Sequence, residues 1–146
     1  RFGEMNVEVI LAPGDVPYIL ELGARAGGNM IPVQLEDVSG VDLAEASVRA
    51  AMGDKPTDVR FDGNDECVAT SVLHARRGGS FVGVDYAPEL REHIYRELIY
   101  AKQGDRVERL ENGSQAIGVI FLRFGTPGQM RELMSRVGDL ARVIVA

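Results

Sequence analysis

The chain has 146 residues, 45 % of them hydrophobic and 26 % charged, with a formal net charge of −6. That length suits one ordinary domain or two small subdomains, and the composition excludes a disordered chain. The acidic balance argues against nucleic acid as a partner, because a phosphate-backbone binder needs a concentrated basic surface. The acidity is at the front: residues 1–60 carry 5 basic and 10 acidic side chains, against 11 and 12 in residues 61–146.

No apolar run approaches the ~20 residues of a membrane span, so no membrane partner is expected. The single cysteine, Cys67, can form neither an internal disulfide nor a cysteine cluster, and it reads as a buried apolar thiol in a cytoplasmic protein. Arg1 stands where an initiating methionine would be, and a strand pattern begins within four residues of it, so a piece of a longer chain is expected.

In chain order, Met5–Ala12 (MNVEVILA) and Pro17–Leu22 (PYILEL) read as strands joined by the turn-forming Pro13-Gly14-Asp15-Val16. A glycine-rich loop, residues 23–29 (GARAGGN), follows. Asn29 is a plausible N-cap for a short helix to about Val38, with Pro32 in its first turn and Gly40 as terminator. Asp42 and Glu45 have capping-box spacing, Val41 and Ala46 form a hydrophobic staple, and Gly53 ends a second helix after Met52. Residues 54–65 are polar and breaker-rich and form the best subdomain boundary.

Beyond it, Cys67–Ala75, Ser80–Tyr86, Glu97–Lys102, Ala116–Phe124 and Arg142–Val145 read as strands. One helix runs from Pro88 toward Tyr95. Another opens at Thr126, Pro127 and Gln129, a capping box with proline first, and its Met130, Leu133, Met134 and Val137 recur at helical spacing as core filling. The fold class expected is α+β.

If the tetrapeptide closes the hairpin, Ala12 pairs with Pro17, Ile10 with Ile19, and Glu8 with Glu21. Two carboxylates directly opposed across strands repel, with Cβ atoms ~4.5–5.5 Å apart. The conflict is relieved by neutralising one glutamate or by placing a divalent cation between them, and hard oxygen donors favour magnesium, manganese or calcium over zinc. The bland alternative is a slipped hairpin or two side chains splayed into water. The loop after the second acid carries Arg25 and leads to a helix N-terminus, whose free N–H groups, with the guanidinium fork, suit phosphate or carboxylate.

Residues 6–53, NVEVILAPGDVPYILELGARAGGNMIPVQLEDVSGVDLAEASVRAAMG, resemble the C-terminal part of an ATP-grasp domain. The resemblance implies that Glu8 and Glu21 bind the metal of MgATP (Mg²⁺ or Mn²⁺) and that Arg25 stabilises the transferring phosphate. It also implies that Ile10 and Leu20 pack on adenine, although alternation puts Leu20 on the opposite face, and that Gly27, Gly28 and Asn29 approach the carboxylate substrate. A metal-binding asparagine two positions after the second acid is common in that superfamily, and this chain has Gly23 there. Together with ARAGGNMIP, that departure is more similar to the dipeptide-forming L-amino-acid ligase branch; carbamoyl-phosphate synthetase and biotin carboxylase are further relatives.

The resemblance implies residues 1–57 as the end of the catalytic domain and 58–146 as a small, mostly antiparallel subdomain with two helices. The implied reaction activates a small-molecule carboxylate as an acyl phosphate for attack by an amine. Without the nucleotide-binding lysines, this piece by itself is expected not to turn over ATP. The different reading is a non-catalytic α+β binding or assembly module whose acid pair holds a structural cation. Exposed strand edges also make a homodimer an expectation. Asp62-Gly63-Asn64-Asp65-Glu66 lacks EF-hand spacing and reads as a solvated linker, Arg76-Arg77-Gly78-Gly79 as a hairpin tip, and His74 and His93 as structural.

Overall fold

The computed structural model describes residues 3–55, 57–61 and 65–146. The chain divides into two compact units, Arg1–Asn64 and Asp65–Ala146. Asp62, Gly63 and Asn64 of the acidic linker cluster lie outside the described residues.

In the first unit, β1 (Asn6–Ala12) and β2 (Val16–Gly23) form a two-stranded antiparallel ribbon. Gly14 and Asp15 both adopt left-handed conformations, φ 84° and 57°, and their tight turn closes the ribbon at Ala12↔Val16. The expected pairs Ala12–Pro17 and Ile10–Ile19 are therefore replaced: Leu11 meets Pro17 and Ile10 meets Tyr18. Leu20 is then left over as a one-residue bulge, and beyond it the register changes to Glu8↔Glu21, Val7↔Leu22 and Asn6↔Gly23. The shorter turn and the extra residue cancel, and the two acids are opposed.

Helix α1 (Ile31–Ser39) starts two residues after the expected Asn29 cap. Asn29 and Met30 are both left-handed, φ 51° and 61°, and that excludes the extended backbone a side-chain N-cap needs. Its end follows expectation, with Gly40 at φ 70° donating to the Glu36 carbonyl at 2.8 Å. Helix α2 (Leu43–Ala51) is capped by Asp42, which accepts from the Glu45 N–H at 2.8 Å. The Ser47 hydroxyl donates to the Glu4 carboxylate and ties α2 to the approach to β1. No described residue of this unit is fully buried, and the ribbon is bare on both faces, with Leu11 65 % and Ile19 63 % exposed on one and Ile10 53 % and Tyr18 59 % on the other.

The second unit holds the core. Strands β3 (Cys67–Leu73), β7 (Gly118–Phe124) and β5 (Ile94–Ile99) form one antiparallel sheet in that order. Strands β6 (Arg106–Val107), β4 (Gly79–Tyr86) and β8 (Ala141–Val145) form the other. The central strand β7, GVIFLRF, is buried at every position except Arg123, as its near-continuous apolar run requires. Phe121, Leu90, Ile120, Leu122 and Val119 are fully enclosed; each such side chain contributes about 1.5–3 kcal/mol on leaving water. Met130, Met134 and Val137 pack against this core, as their spacing predicted.

The expected Glu97–Lys102 strand instead occupies Ile94–Ile99, and the expected helix to Tyr95 is the single turn α3 (Pro88–Arg91). Burial decides the matter, because Ile94 and Ile99 pack on the core from a strand paired with β7. In helix α4 (Pro127–Ser135), Thr126 accepts from Gln129 N–H at 3.2 Å, but the Gln129 side chain reaches past the cap to Gly125 N–H at 3.1 Å. Helix α5 (Val137–Leu140) and β6 are too short to leave a periodic signal. No helix among the described residues is long and apolar enough to cross a membrane.

Candidate functional site

Glu8 and Glu21 are direct cross-strand partners, which puts both on one face of the ribbon. Neither side chain has an ion pair or hydrogen bond among the described residues. Along β1 the same face continues to Asn6 and Ile10, and across the ladder to Gly23 and Tyr18. Tyr18 is the residue that sequence reasoning missed: the one-residue change in turn length exchanges it for Ile19 opposite Ile10. Leu20 has no cross-strand partner, so simple alternation no longer assigns it to the far face.

After Gly23 the chain turns at once, with the Arg25 N–H donating to the Gly23 carbonyl at 2.8 Å. The Arg25 side chain folds back over Gly23, where an added Cβ would lie 3.7 Å from Arg25 Cγ, and Nη1 donates to the Ala26 carbonyl at 2.7 Å. No carboxylate among the described residues pairs with this guanidinium. Gly27 is tightly surrounded, since a Cβ there would stand 3.1 Å from Ile31 Cδ1 and 3.3 Å from Asn6 Oδ1; at Gly28 the space is open.

The source of anion-binding donors differs from expectation. In the first turn of α1, Ile31 N–H bonds the Gly28 carbonyl, Pro32 has no N–H, and Val33 and Gln34 both bond the Met30 carbonyl. The helix end therefore has no spare donor over Ile31–Gln34. The N–H groups of Gly27, Gly28 and Asn29, like those of Ala24, Ala26 and Met30, have no partner among the described residues. Consecutive left-handed non-glycine residues such as Asn29 and Met30 cost of order 1–3 kcal/mol each, and such strain concentrates at functional loops. Arg25 also shares a cleft of about 710 Å³ with Lys55, Glu4 and Asp54; Lys55 was hidden from sequence reasoning because it lies in the polar linker.

No three His, Cys, Asp or Glu side chains converge as a metal centre among the described residues. Two opposed carboxylates still fit Mg²⁺ or Mn²⁺, which accept hard oxygen donors and complete their shells with water and phosphate oxygens. The chemistry available is thus two anionic oxygen donors, one unpaired guanidinium and a run of open backbone N–H groups.

No protein-family model and no curated protein matches the sequence. Solved structures do match. An L-amino acid ligase from Bacillus licheniformis superposes with a TM-score of 0.77 at 16 % identity, over 99 % of this chain and 38 % of that one. Phosphoribosylglycinamide synthetase from Anaerococcus prevotii gives 0.72 at 18 % identity, over 97 % and 37 %. N5-carboxyaminoimidazole ribonucleotide synthetase from Thermotoga maritima gives 0.66 at 14 %, over 97 % and 37 %. The chain has the fold of part of these structures, the ATP-grasp fold, and spans less than two fifths of their length.

Proposed function

We propose that the chain is the C-terminal part of an ATP-dependent carboxylate–amine ligase, with residues 1–57 completing the catalytic domain and 58–146 forming a small C-terminal subdomain. ATP would supply the phosphoryl group that activates a small-molecule carboxylate as an acyl phosphate, and an amine would displace phosphate to leave an amide. Glu8 and Glu21 hold Mg²⁺ or Mn²⁺. Arg25 offsets charge on the transferring phosphate, and Ile10 and Leu20, joined by Tyr18, form the apolar bed for the base. Gly27, Gly28 and Asn29 present their N–H groups to the carboxylate substrate. These residues position and neutralise, which is most of what phosphoryl transfer asks of a protein.

The observation that carries the proposal is Glu8 opposite Glu21 at the root of a loop bearing an unpaired arginine. The chain alone, spanning so small a share of its neighbours, is proposed not to turn over ATP, and a cytoplasmic setting suits the reaction. Its ribbon edges are proposed to pair with a second copy, which light scattering tests. In the full-length parent, Glu21→Gln should lower metal-dependent ADP release by about 10²-fold or more. Undiminished turnover would leave the acid pair as a structural cation site in a non-catalytic module.

A further inference from the structure

A cleft of about 740 Å³ opens in the second unit, between the stretch from Ser71 to Arg76 and residues Ala141–Ile144 of β8. Its charged and titratable lining is of one sign: His74, Arg76, Arg109 and Arg142, with no carboxylate among the lining residues. Residues 65–146 contain 11 basic and 11 acidic side chains, so a one-signed wall is a local arrangement and not the drift of a basic domain.

Two of the guanidiniums are paired with carboxylates outside the cleft. Arg76 donates to the Gly138 carbonyl at 2.6 Å and pairs with Asp139 at 2.5 Å, while Arg142 pairs with Asp85 at 2.7 Å. Neither aspartate lines the cleft. Arg109 differs, because among the described residues no carboxylate stands within ion-pair distance of it. Its backbone is nonetheless fixed, by a parallel bridge to Ala75 and by Leu110 N–H to the Ala75 carbonyl at 3.2 Å.

Arg109 is the guanidinium of this wall that has no anionic partner among the described residues, and an anion in the cleft would supply one. Guanidinium forks match phosphate oxygens in pairs, which favours a dianion over a single carboxylate. The rest of the wall is largely apolar, including Val72 and Val143, and the volume is that of a small-molecule pocket, larger than inorganic phosphate fills. We propose that this cleft binds the phosphate monoester of a small organic molecule, with its head on Arg109, Arg142 and His74 and its body on the apolar wall. The site lies in the second unit and uses neither the acid pair nor Arg25.

The test is a titration of the ¹⁵N-labelled 146-residue chain with phenyl phosphate, inorganic phosphate and benzoate, against sodium chloride at equal ionic strength. Saturable shifts at His74, Arg109 and Val143 are expected with phenyl phosphate, weaker ones with inorganic phosphate, and the weakest with benzoate. Arg109→Gln, at an exposed position, should lower phenyl phosphate affinity about tenfold or more, the worth of a charge-assisted hydrogen bond. Arg109→Lys should recover part of it, and Arg131→Gln, at an exposed position outside the cleft, should change nothing. Shifts reproduced by sodium chloride, shifts confined to residues 25–30, benzoate binding as tightly as phenyl phosphate, or an unchanged affinity in Arg109→Gln would each overturn the proposal.

Discussion

Gly118 opens β7 directly across from Ile99 of β5, and replacing it with alanine probes how closely these strands are drawn together. A Cβ at this position would stand 2.5 Å from the Leu98 carbonyl oxygen, 2.9 Å from Ile99 Cδ1 and 3.1 Å from Ile99 Cα. The Ile99 side chain can rotate away, but the oxygen and the Cα belong to a laddered backbone. Reaching an ordinary contact of 3.4 Å means parting the strands by roughly 1 Å. Overpacking of this kind costs about 1–3 kcal/mol, offset by roughly 0.4–1 kcal/mol from the stiffer unfolded chain. The net loss of about 1–2 kcal/mol corresponds to a fall in Tm of roughly 4–15 °C for a unit of this size. Far-UV circular dichroism is the appropriate probe, since the chain has no tryptophan. Gly28→Ala is the control, because nothing lies within 4 Å of its Cβ and its φ is not positive. A Gly118→Ala protein melting with the wild type would refute the claim that backbone proximity dictates this glycine.

Burial, then donation to the Glu97 carboxylate at 2.6 Å, then that carboxylate's charge, push the Tyr86 hydroxyl well above the usual phenol range. Because the folded state favours the neutral phenol, this contribution is intact below about pH 10 and is lost as pH rises further. Spectrophotometric titration should show one tyrosine ionising last, and Tyr86→Phe should remove it. Asp139 is held below the usual carboxylate range by its hydrogen bond from Arg76 and then by that residue's charge. Its contribution is present above about pH 4 and fades as pH falls, so urea midpoints of wild type and Arg76→Gln should converge in acid; a constant gap would refute the pairing. Gln129 accepts from Gly125 N–H at 3.1 Å and donates to His93 Nε2 at 3.1 Å, while His93 Nδ1 donates to the Arg123 carbonyl at 3.0 Å. Gln129→Ala should cost about 1–2 kcal/mol, and ¹⁵N spectra should show the Nδ1–H tautomer of His93; an Nε2–H tautomer would invert the network.

The ribbon was legible because β-branched and apolar residues flank a Pro-Gly-Asp turn, and β7 because its first five residues, Gly118–Leu122, all suit burial on both sides. The opposition of Glu8 and Glu21 was legible for an incomplete reason. The expected turn is one residue longer than the observed one and the expected ladder has no bulge at Leu20, and the two differences cancel. Nothing about a leucine marks it as a bulge, so the move of Tyr18 to the acid-bearing face could not be read. Asn29 offered a signal that was misassigned: asparagine caps helices, but it also tolerates the left-handed backbone found here. Ala75 and Arg109 meet through a contact distant in sequence, so local patterns do not show that Arg109 joins His74 at one cleft.

The break in pairing at Leu20 separates the hairpin's tip from its base. An insertion or deletion among Pro13, Gly14 and Asp15 can be taken up by sliding only the outer rungs, Val9↔Ile19 to Ala12↔Val16, while Glu8↔Glu21 to Asn6↔Gly23 stay matched. The tip is thus the place to graft a fluorophore or affinity handle without disturbing the carboxylates, and the segment where natural variation in length does least harm.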